Sequence, residues 1–169
     1  MTRLLLVRHG ETVDNVNQIM QGQTQGELTP KGVLQAEELA QQMRDESIDV
    51  FVSSDLKRSI DTCRIIAQSH GLPVVQTPLL RERDWGGFTG RFIPDLKDEQ
   101  WPDDIESITD LRTRAKAFLD FISEQYPGKT VLAVGHGIIN KAIQAVHLGK
   151  EMREIPRMTN AEVREVKLL

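Results

Sequence analysis

The sequence predicts an α/β domain with a mostly parallel central sheet. Two observations carry that prediction. Short apolar runs, Leu4–Val7 and Thr130–Val134 foremost, have the length and continuity of strands buried on both faces. They alternate with longer segments of helical periodicity, the pattern of strands joined by crossover helices. A third observation concerns their ends: both runs lead into a His-Gly pair, His9-Gly10 and His136-Gly137.

In chain order, Leu4–Val7 is the first strand and breaks off at Arg8-His9-Gly10. Residues 11–27 are polar, contain Gly22 and Gly26, and read as loop with room for a short helix. Thr29-Pro30 has the form of a helix start, with Thr29 as N-cap and Pro30 at the first helical position. Val33, Ala36, Leu39, Ala40 and Met43 then keep helical spacing to about Asp45. Ile48–Val52 is the second strand, and a helix follows from about Leu56 to Ser69 with Gly71 behind it as a left-handed terminator. Pro73–Gln76 is a short strand. Residues 77–104 hold three prolines, three glycines and both tryptophans and show no period. Helical spacing returns from Ile108 to about Glu124 and stops at Pro127-Gly128. Thr130–Val134 is a strand, a helix runs on through about Val146, and the tail Ala161–Leu169 is read as a last strand. With no repeat, linker or low-complexity stretch, 169 residues make one domain, 1–169, by the rule of about 150 residues each.

Composition narrows the functional classes. Hydrophobic residues make up 39% and charged residues 27%, an ordinary globular mix. A single cysteine, Cys63, excludes an intrachain disulfide and a thiolate-rich metal site. Metal-ligand spacings such as His-x-x-x-His are missing, so the expected chemistry uses no metal and no cofactor. The net charge is −4, no Lys/Arg block stands out, and only three side chains are Trp or Tyr, which argues against nucleic acid as a partner. No apolar run approaches the ~20 residues of a membrane span. Met1-Thr2-Arg3 leads into four apolar residues, too few for a secretory signal, so the expected location is the cytoplasm with no membrane partner. Oligomeric state is left open by the sequence.

In open α/β sheets the active site lies beyond the carboxyl ends of the strands. If the two His-Gly strands are neighbours, His9 and His136 project into one crevice; otherwise each is a structural residue at a strand end. Val50–Arg58 is again a strand running into a helix, and it places Arg58 in that helix's first turn at the same edge. There Arg58 either meets an anion beside free N–H groups or pairs with Asp55 or Asp61. Arg8, Arg58 and two imidazoles suit a phosphoryl group, because guanidinium forks match its oxygens and imidazole can attack phosphorus. His70 and His147 lie away from the strand ends and are read as structural or exposed, and Cys63 as a small core residue.

Five ordered blocks then resemble the histidine phosphatase superfamily, the phosphoglycerate mutase-like branch with the Arg-His-Gly motif. They are Leu6–Thr12 with Asn15, Leu28–Gly32 with Gln35-Ala36, Val52–Ser59 with Thr62, Leu80–Gly86 with Gly90, and Val134–Gly137. The resemblance covers nearly the whole chain. It implies a three-layer α/β/α sandwich and a phosphatase acting on a small phosphomonoester. It assigns His9 as the nucleophile that becomes phosphohistidine, with Arg8, Arg58 and His136 completing the phosphate pocket. Asn15 would be an added donor, Gln21 and Gly22 would approach the substrate, and the Gly137 backbone would face the phosphoryl oxygens. Glu82 would be the general acid and then the base that activates water. Its flanking Arg81 and Arg83 should point away from it in an extended segment. The alternatives within and beyond this family are a phosphoglycerate mutase-type phosphoryl transfer and a catalytically silent phospho-ligand binding module.

The stretch after Glu82 is short. Residues 91–110 hold seven acids against two bases, Arg91 and Lys97, and about 85–107 is expected to form an acidic cap segment. Were its carboxylates to overhang the pocket they would repel polyanions, so the sequence favours a lightly charged monophosphoester. Trp85, Phe88, Phe92 and Trp101 are candidates either for the walls of its mouth or for core.

Overall fold

The computed structural model describes all residues, 1–169. Five strands form one sheet: β1 (Thr2–Arg8), β2 (Val50–Ser54), β3 (Val74–Thr77), β4 (Thr130–Gly135) and β5 (Val163–Leu168). Their order is β3-β2-β4-β1-β5. All neighbours run parallel except β5, which joins β1 antiparallel. There are five α-helices, α1 (Val13–Asn17), α2 (Pro30–Met43), α3 (Lys57–Ala67), α4 (Ile108–Gln125) and α5 (Gly137–Leu148), and the last four cover the faces of the sheet.

The apolar runs are continuous because the sheet is covered on both sides. Leu4, Leu6, Val131 and Ala133 point into a core shared with α4 and α5, while Leu5, Val7, Leu132 and Val134 point into a second core with α2 and α3. This two-residue alternation between two apolar layers is what makes a three-layer sandwich. Each fully buried leucine contributes roughly 1.5–3 kcal/mol relative to exposure.

Elements follow the sequence closely where caps or periods fix them. Thr29 caps α2 by accepting from Gly32 N–H, Pro30 opens the helix, and Gly71 takes φ 63° behind α3. The main displacement is at β2, which begins two residues after Ile48 and runs on through Ser53 and Ser54. Asp49 is spent bridging to Thr130, accepting from its N–H and donating to its carbonyl. The two serines stay in the ladder because they face Gln76 and Thr77 of β3, and both are fully buried. Hydroxyls that look like loop in a sequence are here strand residues.

The loop leaving β1 is pressed against the first turn of α2. A Cβ at Gly10 would fall 2.5 Å from the Gly32 carbonyl oxygen, and one at Gly32 only 2.1 Å from the Glu11 carbonyl oxygen. Backbone meets backbone, so neither position has a flexible group that could give way. Gly32→Ala should therefore destabilise by about 1–3 kcal/mol, although alanine favours a helix by about 1 kcal/mol. Urea unfolding measures this; an unchanged or raised midpoint would show that the two backbones are not in contact.

Candidate active site

β1 and β4 are immediate neighbours in register, with Arg8 opposite Gly135. His9 and His136 therefore leave the sheet side by side, with ring centroids 5.1 Å apart and planes at 62°. Both rings are buried, at 2% and 0% exposure. Around them a cavity of about 450 Å³ is lined by Arg8, His9, Asn15, Gln21, Gly22, Arg58, Glu82 and Gly137, among others. Every residue assigned to the phosphate pocket from the sequence borders it except His136, whose fully buried ring stands beside that of His9.

The His9 ring is fixed by its Nδ1, 2.7 Å from the Gly10 carbonyl. A carbonyl can only accept, so Nδ1 carries the proton and Nε2 keeps its lone pair without a partner in the chain. Burial, with Arg58 and Arg8 close by, pushes the His9 pKa down to about 3, so the ring is neutral at physiological pH. His136 is driven well below the usual imidazole range by burial and by the same cations. Its Nε2 lies 2.7 Å from Ser54 Oγ and 3.1 Å from Ser59 Oγ. Ser59 donates to the Gly135 carbonyl and Ser54 accepts from Leu56 N–H, which leaves the Ser54 proton for Nε2. That network assigns the His136 proton to Nδ1, a buried atom with no partner in the chain.

The two guanidiniums are oriented by backbone carbonyls, with no carboxylate in the role. Arg8 Nη1 donates to Met158 O at 2.7 Å. Arg58 Nη2 donates to Gly22 O at 2.7 Å, and its Nη1 to Thr24 O. Burial lowers the pKa of both, Arg58 to about 10, yet both stay charged at neutral pH. The carboxylates near Arg58 in sequence are engaged elsewhere. Asp55 holds Arg81 through two bonds of 2.7 and 2.6 Å, and Asp61 holds Lys57 at 2.9 Å. One expectation is corrected: the first turn of α3 offers no free N–H groups at Lys57 and Arg58, because Gln25 accepts from both, through its side chain and its carbonyl.

Glu82 sits at the N-terminus of α5, where His136 caps with no side-chain bond. Its carboxylate accepts from Ile138 N–H, Ile139 N–H and Arg83 N–H at 2.9–3.2 Å. The backbone behind it is gripped by Arg114 of α4, which donates to the carbonyls of Leu79, Arg81 and Glu82 and is itself paired with Glu106 at 2.8 Å. Arg81 and Arg83 point away as expected, Arg81 to Asp55 and Arg83 to the Glu106 carbonyl and over Trp85.

Other predicted residues divide. Asn15 Oδ1 accepts from Thr12 N–H in a capping box, and Gln21 accepts from the Thr12 hydroxyl, so both are held at the rim. Of the aromatic candidates only Trp85 lines the cavity; Phe88 is buried, and Phe92 and Trp101 are exposed without bordering it. From residues 91–110 only Ile93 reaches it, so the carboxylates of that segment do not face the pocket. His70 bonds the Met43 carbonyl and packs on Phe51, a structural role. Cys63 is buried, and burial pushes its thiol up to about 12.

Sequence reasoning missed Ser54 and Ser59 as partners of His136, Asn160 as a donor to the His9 carbonyl at 3.1 Å, and Lys141 and Arg157 in the cavity wall. Lys141 carries a signal in hindsight, since it stands one helical turn after Gly137 on the same face of α5. Arg157 and Asn160 lie in a loop with no local pattern.

A mostly parallel sheet that gathers two imidazoles and two carbonyl-held guanidiniums at one edge defines an α/β domain with a cationic, imidazole-bearing pocket. The model of the histidine phosphatase superfamily (branch 1) matches residues 4–168, and the chain belongs to that family. It is 35% identical over 166 residues to a protein of Bacillus subtilis named as an uncharacterized phosphatase, PhoE, covering 95% of this chain and 86% of that one. It is 37% identical over 163 residues to a protein of Yersinia pestis named as a probable phosphoglycerate mutase, GpmB, covering 88% and 76%. Among solved structures, a mycobacterial glucosyl-3-phosphoglycerate phosphatase superimposes with a TM-score of 0.89 at 28% identity, covering 98% of this chain and 92% of that one. Phosphoserine phosphatase of Entamoeba histolytica gives 0.86 at 28% identity, covering 98% and 90%.

The depressed His9 pKa predicts a ring that does not titrate between pH 5 and 8. Histidine ring NMR should report the neutral Nδ1–H form throughout; a midpoint near 6.5 would contradict the geometry. The same shift has a sign for stability. The unfolded histidine binds protons below about 6.5 while the folded one does not until about 3, so His9 makes folding less favourable as pH falls through that window.

Proposed function

We propose that the protein is a phosphatase that hydrolyses a small phosphomonoester through a phosphohistidine on His9. The observation that carries this reading is the fixed tautomer of a buried neutral imidazole, its Nε2 lone pair free beside two guanidiniums that are bonded to backbone carbonyls and to no carboxylate. In the first step His9 Nε2 forms a bond to phosphorus while the bond from phosphorus to the alcohol oxygen breaks. Glu82 gives the departing oxygen its proton, without which an alkoxide is a poor leaving group. In the second, Glu82 takes a proton from water, the water oxygen attacks phosphorus, and the phosphorus–nitrogen bond breaks to release inorganic phosphate and neutral His9.

Charge spreads over three equatorial oxygens in the transition state, so the remaining groups act by position and charge. Arg8 and Arg58 neutralise those oxygens, and the His136 Nδ1–H donates to one of them. Asn15 adds a donor, and Gln21, Gly22 and the Gly137 backbone border the same space. The chemistry asks for no metal or cofactor. Hydrolysis is favoured over mutase transfer because only Ile93 of residues 91–110 roofs the cavity, which leaves water a path to the intermediate.

Rapid-quench labelling with a ³²P-phosphomonoester should trap acid-labile phosphate on the wild-type protein and none on His9→Ala. Glu82→Gln should lower kcat by about 10²–10⁴ on an alkyl phosphate. It should cost far less on p-nitrophenyl phosphate, whose leaving group departs without a proton. An active His9→Ala protein, or a Glu82→Gln loss independent of the leaving group, would refute the assignments. Efficient interconversion of phosphoglycerates would favour the mutase reading.

A further inference from the structure

The cavity is larger than a phosphoryl group needs, and its outer half is cationic. Besides Arg8 and Arg58 it is lined by Lys141 and Arg157, against one carboxylate, Glu82. Lys141 and Arg157 take part in none of the chain's ten ion pairs, and neither side chain donates a hydrogen bond within the protein. Cations brought together without a counter-charge repel one another, and Arg157 is close enough to Arg8 to help lower its pKa. Such an arrangement is held ready for an anion from outside the chain.

Their placement gives the direction of that anion from the phosphoryl site. Lys141 stands one turn after Gly137 on α5, about 6 Å along the helix axis, and helical side chains lean back toward the N-terminus, here toward the pocket. Arg157 precedes Met158, whose carbonyl holds Arg8, so the loop that orients a phosphate-facing guanidinium also carries the outer one. The same cavity is lined by Ile19, Met20, Trp85, Ile93 and Ile138, apolar surface suited to a short carbon skeleton.

We propose that Lys141 and Arg157 form a second anion subsite, and that the substrate is a phosphomonoester whose alcohol carries a further anionic group, a carboxylate or a second phosphate. This rests on the phosphatase reading for its phosphoryl site and revises the expectation of a lightly charged ester. That expectation assumed that the acids of residues 91–110 overhang the pocket, and they do not.

The test uses matched ligands differing in the second charge. 3-Phosphoglycerate is paired with glycerol 1-phosphate for the carboxylate arm, and fructose 1,6-bisphosphate with fructose 6-phosphate for the phosphate arm. Calorimetric titration of the His9→Ala protein reads affinity without turnover, so the result stands even if hydrolysis fails. In at least one arm the doubly anionic member should bind about tenfold tighter or better. Lys141→Gln and Arg157→Gln should each erode that ratio by about three- to tenfold, and together bring it near one. Equal affinities in both arms, or a ratio that survives the double substitution, would overturn the subsite. His9-dependent hydrolysis of p-nitrophenyl phosphate with no charge preference in either arm would sink the subsite and leave the phosphatase reading standing. Charge-selective binding by a wild-type protein without hydrolase activity would do the reverse.

Discussion

The pairing of β1 with β4 is the constraint on which the rest depends. Because these strands are parallel, adjacent and in register from Arg3 opposite Thr130 to Arg8 opposite Gly135, their carboxyl ends stop at the same height. Two residues 127 positions apart in sequence are thereby held with their ring centroids 5.1 Å apart. A slip of one residue would turn every side chain to the opposite face and bury the wrong set. The register is fixed by apolar layers on both faces, so the energy that places the histidines comes from the leucines and valines behind them. Gly135 and Asn140 show how tightly this is fitted. A Cβ at Gly135 would fall 2.3 Å from Asn140 Oδ1, and Asn140 in turn donates to the Val7 carbonyl on β1. The first turn of α5 is thus tied across β4 to the strand that carries His9.

The second feature is a deliberate excess of buried positive charge. An uncompensated guanidinium in the interior is costly, and replacing carboxylate partners with carbonyls recovers only part of the lost hydration. Arg8 Nε, Arg58 Nε and His136 Nδ1 are buried donors without partners, clustered at one end of the sheet. A native fold holds few such atoms. Their concentration at one sheet edge is a set of donors that an oxyanion would satisfy. The nearby acids explain how the excess persists: Asp55, Asp61 and Glu106 are each held by another cation, so none can collapse into the pocket. Glu82 is the exception that must stay near, and it is restrained by α5 N–H groups in place of a bond to Arg8 or Arg58.

How much of this was legible in the sequence follows from how far each signal is local. Strands with two buried faces announce themselves as apolar runs, and Thr29-Pro30 and Gly71 mark helix ends through chemistry contained within a few residues. His9, His136, Arg8 and Arg58 were legible because each sits where a strand stops, a position that a linear reading can find. Ser54 and Ser59 were not, since a serine that orients an imidazole 82 or 77 residues away has the same local neighbourhood as one in a turn. The acidic segment misled for a related reason. Composition reports that charges are present and says nothing of where they point, and here they face solvent, Arg91, Arg114 or backbone N–H groups beside Trp85.

The same reasoning explains why the outer cations escaped notice. On an amphipathic helix a lone lysine reads as the solvated face, and an arginine in an irregular loop reads as solubility. Only the cavity's shape turns them inward. Once they are there, the two halves of the pocket divide the work. The inner half is buried, rigid and held by backbone carbonyls, which suits a group that every substrate of such a site shares. The outer half is open, built on a flexible lysine stem and an exposed loop, and its apolar wall is drawn from the loop after α1, the segment after Glu82 and the first turn of α5. Chemistry that must not vary is thus placed on strand ends, while recognition of the alcohol is placed on parts that can change without disturbing the sheet.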